Sequence, residues 1–135
     1  MLHRDYLLEV IAKFVDAVTV ALRGALIDGK IESARDAEDS IAALLDLDPE
    51  TAMNLSPDSL VTMMLLSGMG DSLASYVSYA LDRVGDAYDD MNDTAKAELR
   101  WDQAQAVAES FGCDPNAIPE EFAAFEAELA AADEA

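Results

Sequence analysis

The chain lacks most of what would staple a small domain or arm it for chemistry. Its 135 residues include one cysteine, Cys113, so neither an internal disulfide nor a multi-cysteine zinc site can form. Cys113 reads as a small residue in a turn. There is one histidine, His3, and its place beside the first residues argues against a catalytic or metal role. No Ser-His-Asp set, Gly-rich phosphate loop or zinc spacing occurs. Bases are scarce, with eight Lys and Arg against 28 Asp and Glu, for a net charge of −20. Phosphate backbones need Lys and Arg to displace their counterions, and anionic membranes need them for attraction, so neither nucleic acid nor membrane is an expected partner. No run approaches the roughly 18 uncharged apolar residues of a membrane-spanning helix. Asp5, Glu9, Lys13 and Asp16 break up the opening segment, unlike a secretory leader, and a cytoplasmic location is expected. No cofactor and no enzymatic activity are expected either.

The charge that is present is unevenly spread. Residues 1–35 hold five bases and five acids, while residues 36–135 hold three bases (Arg83, Lys96, Arg100) and 23 acids. A neutral, apolar opening is therefore joined to a strongly acidic body. Such a body favours basic partners, divalent cations or simply solubility. The length fits one domain over residues 1–135, long enough to bury about two-thirds of its unfolded surface.

Apolar residues recur at helical spacing throughout, which predicts an all-α bundle of five to six helices. The first helix, over residues 4–27, carries Leu7, Val10, Ile11, Phe14, Val18 and Leu22 on one stripe, widened by Leu8, Val15 and Leu26. Its breadth suits either the spine of the fold or the seam of a homodimer, and Gly29 is placed to end it in the left-handed region. In the second helix, over residues 31–45, Arg35 and Glu38 fall inside the apolar arc. They are expected at an interface edge, paired with a partner helix or with each other. Asp48-Pro49 and Ser56-Pro57 each combine a capping side chain with a proline at the first helical position. The first opens a short turn and the second a helix over residues 57–67, apolar nearly all round and expected to be buried. Met53, Met63, Met64 and Met69 read as core filler rather than an adaptable binding surface. Helices over residues 72–91 and 94–111 follow. The last, over residues 119–132, offers only Phe122, Phe125 and Leu129 and is expected to dock lightly.

Two resemblances bear on the fold. Leu81, Val84, Gly85 and Tyr88, followed by Ala97, Trp101 and Ala104, have the spacing of a single tetratricopeptide hairpin, although Glu109 stands where its closing proline is expected. Small residues at Gly85 and Ala97 would let the two helices approach closely, with Tyr88 and Trp101 filling the seam. The opening Arg4-Asp5-Tyr6-Leu7 with Ile11, and the middle Asn54-Leu55-Ser56-Pro57-Asp58-Ser59-Leu60, resemble an uncharacterised family of short bacterial all-helical proteins. That resemblance implies a helical fold and lends no catalytic residues.

The sharpest functional candidate is an aspartate stripe. Asp82, Asp86, Asp89, Asp90 and Asp93 recur along the helix over residues 72–91 and its end. In a tetratricopeptide-like hairpin Tyr79, Asp82, Asp86 and Asp89 would line the concave side and attract a Lys- or Arg-rich segment. The alternatives are the solvated back of an amphipathic helix, or a mimic of nucleic-acid charge. Asp82, Asp86 and Asp90 also raise the question of a divalent ion, as in a Mg²⁺-dependent hydrolase of phosphorylated small molecules. That chemistry needs a facing acidic motif and cations for phosphate, and bases are nearly absent after Arg35. The reading that results is a non-enzymatic interaction module recognising a basic partner, with a homodimer built through the first helix as the alternative.

Overall fold

A computed structural model of the protein describes residues 2–68 and 70–134, with side chains from Asp5 onward. The His3 side chain and Met69 lie outside the described residues. Seven α-helices follow one another, with no strand among the described residues: α1 (Leu2–Leu22), α2 (Ile31–Leu44), α3 (Pro49–Asn54), α4 (Pro57–Ser67), α5 (Gly70–Asp90), α6 (Thr94–Ser110) and α7 (Ala123–Glu134). They form a single helical domain.

The starts of the middle helices follow from their sequence. Asp48 accepts from the Thr51 N–H and Ser56 from the Ser59 N–H, each just before a proline, and Asp93 accepts from the Lys96 N–H to open α6. The predicted first helix changes character near its end. Arg23–Ile27 form a π-helical turn, closed by the Asp28 N–H on the Arg23 carbonyl at 3.2 Å, and Gly29 then turns the chain with φ 69°. The widened turn coincides with a close approach to α2, where a Cβ on Gly24 would lie 2.8 Å from Ser33 Cβ.

Three expectations about packing need correcting. The spine of the fold is α5, not the first helix. Leu73, Val77, Leu81, Val84 and Tyr88 on one side of α5 are buried as expected, but so are Ala74, Ser78, Gly85 and Ala87. It touches α1, α2, α4 and α6. By contrast α1 leaves Tyr6, Leu8 and Val20 exposed, because no element covers its outer side. Second, α4 is buried on one face only. Leu60, Val61 and Met64 pack inward, mainly toward α6, while Met63, Leu65 (60 % exposed) and Leu66 (77 % exposed) face away. Of the candidate filler methionines, Met53 and Met64 are buried and Met63 is not. Third, the expectation that the last segment docks through apolar residues alone omits its polar ties; Phe122 lies in the turn just before α7, and Phe125 is the one buried residue within the helix. Phe122 and Phe125 are fully inside, with Phe122 stacked on Tyr79 at 4.3 Å between ring centres. Arg23 grips Glu128 through two hydrogen bonds of 2.8 Å.

The α5–α6 pair shares the most extensive contact among the described helices. A Cβ on Gly85 would lie 2.5 Å from Trp101 Nε1 and 3.1 Å from the Ala97 carbonyl, so only glycine allows this approach. Trp101 fills that seam, and Tyr88 lies with its ring beside Lys96 and Arg100 of α6 while its hydroxyl reaches Glu38 on α2.

Candidate functional site

The aspartate stripe is divided by the segment that follows α6. Tyr79 and Asp82 border a hollow of about 170 Å³ closed by residues 115–118. Asp86, Asp89 and Asp90 instead face α7 across a cleft of about 370 Å³, joined there by Arg83, Glu126 and Asp133 over an apolar floor of Leu26 and Leu129. Asp93 takes no part, since its carboxylate caps α6.

Within the cleft the carboxylates differ in what they already hold. Arg83 donates Nε to Glu126 Oε2 at 2.9 Å and Nη1 to Asp86 Oδ2 at 2.9 Å, and Nη2 also reaches Glu126. Burial alone would lower the Arg83 pKa, but the hydrogen bond and charge of Glu126 hold it above its ordinary value. Asp86 also accepts from Trp101 Nε1 at 3.1 Å. Its pKa is still raised, chiefly by burial, against the lowering influence of Arg83 and Trp101. Asp82 is raised as well, by desolvation first and then by the charge of Asp86. Asp89, Asp90 and Asp133 are exposed and form no ion pair among the described residues. The cleft therefore has a paired inner end, where Arg83 bridges Asp86 and Glu126, and an uncompensated acidic rim.

Tyr79 is not available to a partner as a surface side chain. Its ring lies under Phe122 and its hydroxyl donates to Glu126. Burial, then that hydrogen bond, drives its pKa well above the ordinary phenol value. Among the described residues, no three His, Cys, Asp or Glu side chains are grouped to hold a metal ion.

A second polar cluster is deeply buried. Arg100 on α6 donates Nε to Glu38 Oε2 at 2.6 Å and Nη1 to the Met53 carbonyl at 2.7 Å and to Gln103 Oε1 at 3.1 Å. Tyr88 donates to the other Glu38 oxygen at 2.7 Å, and Gln103 Nε2 donates to the Leu55 carbonyl at 2.9 Å. Glu38 thus pairs with a partner helix, one of the outcomes its position on α2 predicts. The Met53 and Leu55 carbonyls belong to the end of α3, where helical acceptors run out of partners, so α6 side chains cap that short helix. Sequence reasoning passed over Arg100 and Gln103, although both fall within the Ala97–Ala104 inner stripe of α6.

In comparison with known proteins, no family model, no curated protein and no solved structure matches this chain.

Proposed function

We propose that the protein is a non-enzymatic interaction module whose α5–α7 cleft receives a Lys- or Arg-bearing segment of a partner protein. The observation that carries this reading is the state of the rim. Asp89, Asp90 and Asp133 surround one concave site and, among the described residues, no cation pairs with them. An incoming ammonium or guanidinium would supply what Arg83 supplies at the inner end, while Leu26 and Leu129 receive the aliphatic stem of that side chain. The net charge of −20 speeds encounter with a basic segment. The tetratricopeptide-like reading of α5 and α6 belongs with this proposal, supported by the approach at Gly85, but α7 lies along the face that would be concave.

Anisotropy of a labelled Lys-rich peptide at about 0.15 M salt tests the cleft. Asp89→Asn with Asp90→Asn should weaken binding by about tenfold or more. No binding by the parent protein, or equal binding by the double variant, refutes the proposal.

A homodimer through α1 is the second reading, favoured by the exposure of Tyr6, Leu8 and Val20 on a helix within the neutral opening. Light scattering that gives one chain's mass across micromolar concentrations excludes it.

A further inference from the structure

The buried cluster at Arg100 is the floor of a cavity of about 490 Å³ between α2, α3, α5 and α6, within the size range of small-molecule sites. Three of the chain's eight bases line it: Arg35, Lys96 and Arg100. In a chain with 28 acids, ion-pair partners for a base are plentiful, yet among the described residues neither Arg35 nor Lys96 forms an ion pair. Both are exposed at the rim, and Lys96 Nζ lies 5.3 Å from the centre of the Tyr88 ring.

The floor adds an independent sign. The Arg100 side chain is 5 % exposed, and its Nε and Nη1 are fully used. Its second terminal nitrogen, Nη2, donates to no described residue. Among the described residues no fully buried side-chain nitrogen or oxygen is without a partner, so Nη2 keeps some solvent contact; Arg100 lines this cavity, with its guanidinium 6.0 Å from the centre of the Tyr88 ring. A guanidinium N–H left open at the base of a concave site, under two unpaired cations, is a donor set for an oxyanion.

We propose that this cavity binds a small molecule through one carboxylate or phosphate group, held by Arg100 Nη2 at the floor and by Arg35 and Lys96 at the rim. Acids elsewhere on the chain do not forbid it, because charges beyond about 8 Å are largely screened at physiological ionic strength. Within the lining Glu38 already balances Arg100, so the attraction comes from Arg35 and Lys96 while Arg100 contributes a hydrogen-bond donor. Asp39 and Glu50 share the rim, so the site disfavours a polyanion. It suits a ligand with a single oxyanion group and a neutral or positively charged remainder.

Backbone amide NMR with sodium phosphate, sodium acetate and sodium chloride, at matched ionic strength and pH, tests this. Saturable shifts around Asn54, Tyr88 and Lys96 should appear with phosphate or acetate and not with chloride. Whichever oxyanion acts names the headgroup, and a response to both supports the shared chemistry. Arg35→Gln with Lys96→Gln changes only exposed rim residues and should weaken the response by about tenfold or more. Its thermal melt confirms that it folds. A phosphate and acetate response no different from chloride, or one that survives in the double variant, overturns the proposal.

Discussion

Replacing Arg100 by Leu removes one partner from a buried charge pair and leaves the other inside. Glu38 would keep the Tyr88 hydroxyl and nothing else, and the Met53 carbonyl would keep only a long 3.4 Å bond from Gln103. Breaking a buried pair in this way costs about 3–5 kcal/mol. Unfolding entropy of roughly 2 cal/mol/K per residue converts that into a melting point lower by roughly 10–18 °C for a chain of this length. Glu38→Leu should fall in the same range, since it strands the guanidinium. Removing both charges together is different. The double variant leaves no buried charge: the Tyr88 hydroxyl and Gln103 Oε1 lose their partners and the Met53 carbonyl keeps its long bond, each worth about 1–3 kcal/mol, so its loss should fall well below the sum of the single losses. Urea unfolding followed by far-UV circular dichroism gives all three values, and the parent stability of about 5–15 kcal/mol leaves room to measure them. Single losses under about 1 kcal/mol, or a double loss equal to the sum of the singles, would refute the reasoning.

Gly85→Ala should destabilise by about 1–3 kcal/mol despite alanine's better helix propensity, because the methyl displaces the Trp101 ring and its bond to Asp86. Trp101 is the sole tryptophan, so its fluorescence should change in step with the urea curve, and an unaltered spectrum with unaltered stability would contradict the close approach. Alkaline pH should unfold the protein. Tyr76 is pushed up to about 12, by partial burial and then by Glu121, and Tyr79 and Tyr88 are raised further. Above about pH 10 the unfolded chain releases phenolic protons that the folded chain retains, so stability falls as pH rises, by about 1.4 kcal/mol per pH unit for each such tyrosine. Phenolate absorbance should then appear together with loss of helix; ionisation of all tyrosines well before unfolding would be the contrary result. Raising sodium chloride from about 20 mM to about 500 mM should raise the melting temperature by screening the repulsion among the acids, whereas a flat or falling profile would show that this repulsion is not a significant load on the fold.

The helical class and most helix boundaries are legible because local chemistry decides them. Asp48-Pro49 and Ser56-Pro57 act within one turn of themselves, and each cap forms as its sequence indicates, whereas Asp93, read as part of the stripe, turns out to cap α6. What the sequence hides is which apolar face finds a partner. Helix α4 and the outer side of α1 are apolar enough to be core, yet Leu66 and Val20 meet no other helix, since periodicity describes one element and burial needs two. The aspartate stripe is legible as a stripe, but its division is not, because it depends on α7 and on residues 115–118 returning across α5. The Arg100 cluster joins α2, α3, α5 and α6, a juxtaposition no local pattern encodes, although a charged residue within an inner stripe is its trace.

The capping of α3 by α6 has a consequence for the order in which the chain acquires its structure. A six-residue helix is far below the length at which a helix is stable alone in water, roughly 12–15 residues. Its terminal carbonyls are satisfied by residues 47 to 50 positions further along the chain. Until α6 has been made and docked, α3 has its Asp48 cap and its packing on α2 but no partner for its terminal carbonyls, so this middle segment should settle fully only after a later one. Its amides should exchange with solvent in one cooperative unit with those of α6 rather than with their neighbours in α2, and hydrogen exchange that opens α3 together with α2 while α6 stays closed would show otherwise.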